Sequence, residues 1–356
     1  MNILITGGLG TIGRPLTTEC RRRGHAVVTC DLTHGPDERT WSAHADSSRA
    51  SYARCDVGDF RQLERVLEYL GPFDMVYHCA AEFGRWNGED YYEQLWRTNA
   101  IGTKHQLRLQ RDLGFRVVYF SSSEVYGDWP DTMFESTTDN YPIQQLSDYA
   151  MSKWVGEMQV RNSTIQFGTE TVIVRLFNTY GPGEYYSPYR SVNCRFLYCA
   201  LHGVPWTVHL GHARTSTYVD DTVRTLANIA DVFKPGEVYN ISGNALHSIA
   251  QLSDIVLDVT GAARSLVWYE DQEICTTGSK KPDNTKAVRD LGHRDTYTLE
   301  RGLVETMDWM KSVYRETIRE TVNLHGHVPS TTAAPANVGE YLPTTGALGV
   351  RDYCGE

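Results

Sequence analysis

Thr6-Gly7-Gly8-Leu9-Gly10-Thr11-Ile12-Gly13 stands between an apolar run, Asn2 to Thr6, and an amphipathic stretch, Ile12 to Arg23. Glycines at 7, 10 and 13 that follow a strand and open a helix let backbone approach a pyrophosphate at the helix N-terminus. The segment predicts a dinucleotide site formed by Gly7, Gly10, Thr11, Ile12 and Gly13. Eighteen residues past Gly13 comes Asp31, just after a second apolar run, Ala26 to Cys30. A carboxylate there bonds both ribose hydroxyls and repels a 2′-phosphate, so NAD is expected over NADP. His34 and Arg39 are the neighbouring cations that would weaken this preference.

Outward from this stretch, short β-branched runs alternate with amphipathic ones. They are Asp59 to Leu70, Asp74 to His78, Tyr91 to Leu113, Val117 to Phe120, Ser147 to Phe167 and Thr171 to Leu176. Such alternation predicts an α/β fold, a Rossmann-type doubly wound parallel sheet with ligands at the carboxyl ends of its strands. Asp56 and Val57 follow the third strand and are placed to meet an adenine. Ala80 and Ala81, after His78-Cys79, are small enough for a dinucleotide to lie flat. Asn99, on the next helix, is a further cofactor candidate or a polar residue that bends the helix. After Asn178 the texture changes to a Gly/Pro/Tyr-rich loop, a helix, a short strand at Trp206 to His209 and smaller mixed elements. The expected organisation is an NAD-binding domain at 1–177, with a returning strand near 237–241, and a smaller mixed α/β substrate lobe at 178–320. A Pro/Thr/Gly-rich tail at 321–356 can bury little.

The 356 residues are 41% hydrophobic and 22% charged, which suits one such sheet with a capping lobe. Thirty-four Lys and Arg against 44 Asp and Glu leave a net charge of −10, which argues against a broadly basic nucleic-acid binder. No apolar run reaches the roughly 18 to 20 residues of a membrane helix, and no signal-peptide pattern precedes the first strand. The expectation is a cytoplasmic protein with no membrane association. Its eight cysteines are scattered without a C-x-x-C pair, so reduced thiols and no metal site are expected.

Ser121-Ser122-Ser123-Glu124-Val125-Tyr126-Gly127 ends the fifth strand, and Tyr149-Ala150-Met151-Ser152-Lys153 follows on a helix. Positions four apart share a helix face. A lysine ammonium beneath a tyrosine lowers the phenol's pKa, and a nicotinamide cation lowers it further. The tyrosinate then takes a proton from a sugar hydroxyl during oxidation by NAD.

In these motifs, together with Arg175-Leu176-Phe177-Asn178-Thr179-Tyr180-Gly181-Pro182-Gly183 and Arg214-Thr215-Ser216-Thr217-Tyr218, the chain resembles the extended short-chain dehydrogenases/reductases. Within them it is similar to the nucleotide-sugar epimerase, dehydratase and decarboxylase group. The resemblance covers roughly residues 1–315. It implies Tyr149 as base, Lys153 as its partner and a ribose ligand, and Ser122 or Ser123 as the hydroxyl on the sugar O4. It implies Asn178 on the sugar diphosphate, with Arg190 and Arg214 as neutralising cations, and a homodimer through the helices Tyr91 to Leu113 and Ser147 to Phe167.

Members of the group begin by oxidising a sugar C4 hydroxyl, and differ in what stands beside the ring. The 4,6-dehydratases resemble Thr-Asp-Glu where this chain has Ser122-Ser123-Glu124, so the Glu is present and the acid before it is not. Galactose-type 4-epimerases resemble a triple serine spaced one residue further and need no carboxylate. Lys280-Lys281-Pro282-Asp283 resembles the Arg-Lys/Arg-Pro-Asp segment of glucuronate decarboxylases, whose arginine faces the substrate carboxylate. Lys280 is a point charge in place of a planar fork. The resemblance therefore implies decarboxylation of a UDP-linked uronic acid first, 4-epimerisation second and dehydration third. A simple ketone or alcohol reductase and a non-catalytic NAD-binding regulator are the remaining readings.

Overall fold

Within Asn2–Thr6 (β1) the three consecutive apolar residues Ile3, Leu4 and Ile5 are all buried, because both faces of the sheet are covered. In the computed structural model, residues 1–33, 51–271, 273, 276–315 and 317–318 are described. His34, Arg39, Cys275, Cys354 and the tail at 321–356 lie outside them. Around β1 lie Ala26–Asp31 (β2), Tyr52–Arg54 (β3), Met75–His78 (β4), Arg116–Ser122 (β5) and Thr171–Leu176 (β6). Later come Thr179–Tyr180 (β7), Trp206–His209 (β8), Ala213–Thr215 (β9), Thr217–Tyr218 (β10), Val238–Ile241 (β11), Leu246–Ser248 (β12) and Val267–Glu270 (β13).

Seven strands form one sheet in the order β11-β6-β5-β4-β1-β2-β3, every pair parallel. Chain order reverses between β1 and β4, and a crevice for a ligand opens at the carboxyl ends there. Alternation along the strands splits the core in two. Ile3, Ile5, Val118 and Val172 pack with Leu16 and Leu303 on one face. Leu4, Val76, Val117 and Ile173 pack with Leu63, Leu107 and Val160 on the other.

The helices that aim the site are Gly13–Arg22 (α1), Arg85–Asp90 (α2), Gly102–Leu113 (α3), Asp148–Phe167 (α4) and Val192–His202 (α5). Ser147 caps α4 by accepting from the Ala150 amide at 3.2 Å, and Gly168, with φ 66°, ends it. The stretch expected as one helix from Tyr91 to Leu113 is instead Tyr92–Trp96, a π-turn at Arg97–Ile101 and α3. A π-turn adds one residue to the helical period, and sequence periodicity does not register it. Three two-stranded sheets, β10-β7, β12-β9 and β13-β8, accompany the later helices, and β7 and β8 contribute Thr179 and His209 to the crevice. Among the described residues no helix is long and apolar enough to cross a membrane.

Candidate active site

A cavity of about 700 Å³ runs along the crevice, from Asp31 and Asp56 past the glycine turn to Tyr149 and Glu124. Gly7 holds φ 68°, and a Cβ there would stand 2.8 Å from the Ala80 amide nitrogen. A Cβ on Gly13 would stand 2.2 Å from the Gly7 carbonyl oxygen. Both positions therefore require glycine for the turn to close against β4. Below the turn, the Ala80 amide donates to Thr6 Oγ1 at 3.2 Å, and Thr6 Oγ1 lies 3.0 Å from His78 Nδ1. Burial lowers the His78 imidazole to about 3, so the ring is neutral and acts as a structural link.

Asp31 Oδ2 accepts from the Leu9 amide at 2.9 Å, which ties the glycine turn to the end of β2. Asp56 accepts from Gly58 at 2.8 Å and pairs with Arg97 at 2.8 Å. Helix α1 begins at the cavity with no side-chain cap and no acid in its first turn. Uncapped amides, close backbone and a carboxylate at the strand end match the pyrophosphate and ribose of NAD, so the residues present fit this cofactor.

At the other end, Tyr149 opens α4 and Lys153 lies one turn on. Lys153 Nζ donates to the Phe120 carbonyl at 2.8 Å and stands 6.0 Å from the Tyr149 ring centre. Burial lowers Lys153 to about 8. Burial also raises Tyr149 to about 12, with a Ser122 hydrogen bond opposing and Glu124 adding to the rise. The lowering expected from Lys153 is absent in the chain alone, where desolvation of the phenol dominates and Ser122 supplies the opposing effect. The same helix face carries Glu157, which is fully buried against Arg175 at 2.7 Å. Glu157 Oε1 also accepts from Ser121 Oγ at 2.5 Å. This clamp fixes the tyrosine helix to the serine-rich end of β5.

Glu124 lines the cavity, and Lys280, 2% exposed, forms an ion pair with it from behind. Burial would raise Glu124, but Lys280, then Arg214 and Arg85, hold its carboxyl below the ordinary range. Burial pulls the Lys280 ammonium down while Glu124 holds it up. Residues 276–283 reach this position as a strap. The Lys280 amide donates to Ala213 at 3.1 Å, and Met133 donates to Lys281 at 2.7 Å. Arg214 donates to the carbonyls of Ala213, Gly278 and Thr277 at 2.8, 2.9 and 2.6 Å.

A family model described as NAD dependent epimerase/dehydratase family matches residues 3–242. The chain belongs to the NAD-dependent epimerase/dehydratase family. It is an enzyme of that family, and its cofactor is NAD. The UDP-N-acetyl-alpha-D-glucosaminuronate decarboxylase of Bacillus cytotoxicus is 28% identical over 87% of this chain and 98% of that protein. The dTDP-glucose 4,6-dehydratase of Salmonella typhimurium is 28% identical over 87% of this chain and 92% of that protein. A solved structure, MoeE5 in complex with UDP-glucuronic acid and NAD, superposes with a TM-score of 0.76 at 26% identity, covering 88% of this chain and 100% of that one.

This epimerase/dehydratase brings most of the residues expected from sequence onto one wall. Gly7, Gly10, Thr11, Ile12, Gly13, Asp31, Asp56, Val57, Ala80 and Ala81 line the cofactor half. Ser122, Ser123, Glu124, Tyr149, Lys153, Asn178 and Arg190 line the remainder. Three candidates are off the wall. Asn99 spends its side chain on the Glu82 backbone, at 2.8 and 2.9 Å, and on Ser152. Arg214 is occupied by strap carbonyls, and Lys280 faces Glu124 instead of the cavity. Cys79 lines the cavity, and burial pushes its thiol well up.

Arg85, Glu184, Arg195, His209 and Glu273 also line the cavity, and sequence reasoning missed them. The Nε atoms of Arg190 and Arg195 are buried without a hydrogen-bond partner among the described residues. Both lie beside Glu184, whose carboxyl burial raises. The five-residue spacing of the two arginines is the one signal that could have flagged Arg195. Among the described residues no group of His, Cys, Asp and Glu could hold a metal ion.

Proposed function

We propose that the enzyme removes CO₂ from a nucleotide-linked uronic acid, UDP-glucuronate in the first instance, through a 4-keto intermediate. The observation that carries this reading is Glu124, an ionised carboxylate kept in the sugar half of the cavity by a buried lysine, with Ser123 immediately before it. Dehydration needs an acid for the departing C6 hydroxyl, and serine is not one. Simple 4-epimerisation uses no carboxylate, yet here a buried ion pair is maintained against its desolvation cost. The decarboxylase among the relatives and the UDP-glucuronic acid held by MoeE5 lend support.

NAD, when bound, supplies reversible two-electron oxidation of the sugar C4 alcohol. Tyr149 takes the C4 hydroxyl proton, and Lys153 is the chain's own cation beside it. Ser122, bonded to Tyr149, fixes the sugar oxygen. Once C4 is a ketone, the C5–C6 bond breaks, CO₂ leaves and its electron pair passes to the C4 oxygen, towards which protonated Tyr149 donates. The proton that C5 needs comes from the Lys280 ammonium, relayed through the Glu124 carboxylate into the cavity, and water reprotonates the amine. Asn178, Arg190 and Arg195 bind the diphosphate.

Incubation with UDP-glucuronate and NAD should release CO₂ and a pentose or 4-keto pentose nucleotide, followed by mass spectrometry. Conversion to UDP-galacturonate with every carbon retained would overturn decarboxylation in favour of 4-epimerisation. Tyr149→Phe should remove turnover with any sugar nucleotide.

We propose also that the enzyme is a homodimer. Helix α4 exposes Met151, Met158 and Ile165, which recur at seven-residue intervals as a seam for a second copy. Ile165→Glu should yield monomers by sedimentation equilibrium, and an unchanged mass would remove this seam from consideration.

A further inference from the structure

A uronate carboxylate entering the cavity needs a cation, and the lysine that motif resemblance puts there is engaged elsewhere. Lys280 is buried behind Glu124, and Arg214, which does not line the cavity, spends three of its five donor hydrogens on backbone carbonyls. Arg190, stacked on the Phe83 ring at 4.0 Å, and Arg195 both lie beside the buried Glu184 carboxyl, which offsets their charge.

Arg85 is different. It opens α2 directly after Gly84, whose φ is 93°, and it lines the cavity. Its charge reaches both Glu124 and Arg214, which puts it at the sugar end. There it already holds a carboxylate, Glu273, in an ion pair whose side chains are 19% and 28% exposed. Glu273 lines the same cavity. Its amide donates to His212 Nε2 at 3.1 Å, and His212 Nδ1 lies 3.1 Å from the Thr277 carbonyl. The acidic partner of Arg85 is thereby tethered to the strap by its backbone, while its side chain remains partly open to solvent.

We infer that Arg85 reads the substrate's carboxylate, and that Glu273 is the internal carboxylate it releases in exchange. This rests on the uronic-acid reading of the same cavity. The exchange keeps one anion on the guanidinium in both states, and the displaced Glu273 side chain turns towards water. A sugar with a neutral C6 group cannot displace Glu273, so the pair discriminates against neutral substrates as well as favouring charged ones.

The test measures dissociation constants of UDP-glucuronate and UDP-glucose for the NAD-loaded enzyme by calorimetry, in wild type, Arg85→Gln, Arg85→Lys and Glu273→Gln. Arg85→Gln should weaken UDP-glucuronate at least about tenfold more than UDP-glucose, the loss expected for a charge-assisted hydrogen bond. Arg85→Lys should restore part of that difference. Glu273→Gln should tighten UDP-glucuronate several-fold, because the internal competitor is gone. NAD affinity and the near-ultraviolet dichroism of each variant report on folding. Equal losses for both nucleotides in Arg85→Gln, or weaker UDP-glucuronate binding in Glu273→Gln, would overturn the inference. Arg85-dependent binding followed by 4-epimerisation would leave the inference standing and remove decarboxylation. Decarboxylation indifferent to Arg85 would do the reverse.

Discussion

The two ends of the cavity are made in different ways. At the cofactor end, contact is by backbone and by short polar groups close together in sequence: Gly7 to Gly13, Asp31, Ala80. At the sugar end, charge is arranged in pairs whose members are far apart. Glu124 and Lys280 are separated by 156 residues, and Arg85 and Glu273 by 188. The first arrangement recognises one fixed partner through shape. The second assigns charge side chain by side chain, so it can be altered without disturbing the cradle.

If that division is real, substitutions at one end should leave the other intact. The largest effect is expected for Gly13→Ala, whose Cβ meets the Gly7 carbonyl. Moving that backbone should cost roughly 2 to 4 kcal/mol of stability and at least about tenfold in NAD affinity, read by urea unfolding and by cofactor fluorescence. Wild-type NAD affinity in this variant would break the comparison.

A smaller effect, confined to the other end, is expected for Lys280→Met. Without the ammonium, burial raises the Glu124 carboxyl, so the acidic limb of the kcat profile should move to higher pH. At neutral pH kcat should fall on the order of tenfold or more, with NAD binding unchanged. A uniform fall in kcat at every pH would mean that Lys280 merely supports the strap.

The smallest effect concerns Lys153. Its folded value of about 8 lies below the ordinary 10.5, so the unfolded chain binds more protons between these limits. Stability of the NAD-free enzyme therefore rises with pH across that window, and the cost of the buried charge is full below it. Lys153→Met should raise Tm by a few degrees at pH 7, and the gain should shrink towards pH 10. A gain independent of pH would dissociate it from the ammonium.

The same contrast accounts for what could be read from sequence. The bounds of β1, β6 and β8 follow directly from apolar runs, and the parallel α/β sheet follows from their alternation with helices. The cofactor wall was legible because its residues cluster in short motifs at strand ends. The stretch before Leu113 misled because a single π-turn changes the facing of Asn99 without breaking the apolar period. Lys280 was found by motif yet given the wrong neighbour, since only tertiary structure runs the strap beneath Glu124. Arg85 and Glu273 carry no local pattern at all. The Glu157–Arg175 clamp left a trace, a glutamate four residues past Lys153 and an arginine inside a buried strand, that becomes meaningful only when the two are seen to meet.

The strap also sets an order of events during synthesis. Chains emerge N-terminus first and fold as they do so. The strands that form the NAD cradle are complete long before residue 280 leaves the ribosome. Until then Glu124 has no lysine behind it, and only Arg214 and Arg85 offset its charge. The residues of the cofactor wall are thus synthesised well before the lysine that completes the ion pair at Glu124, and the helix carrying Leu303, which covers one face of the sheet, comes later still.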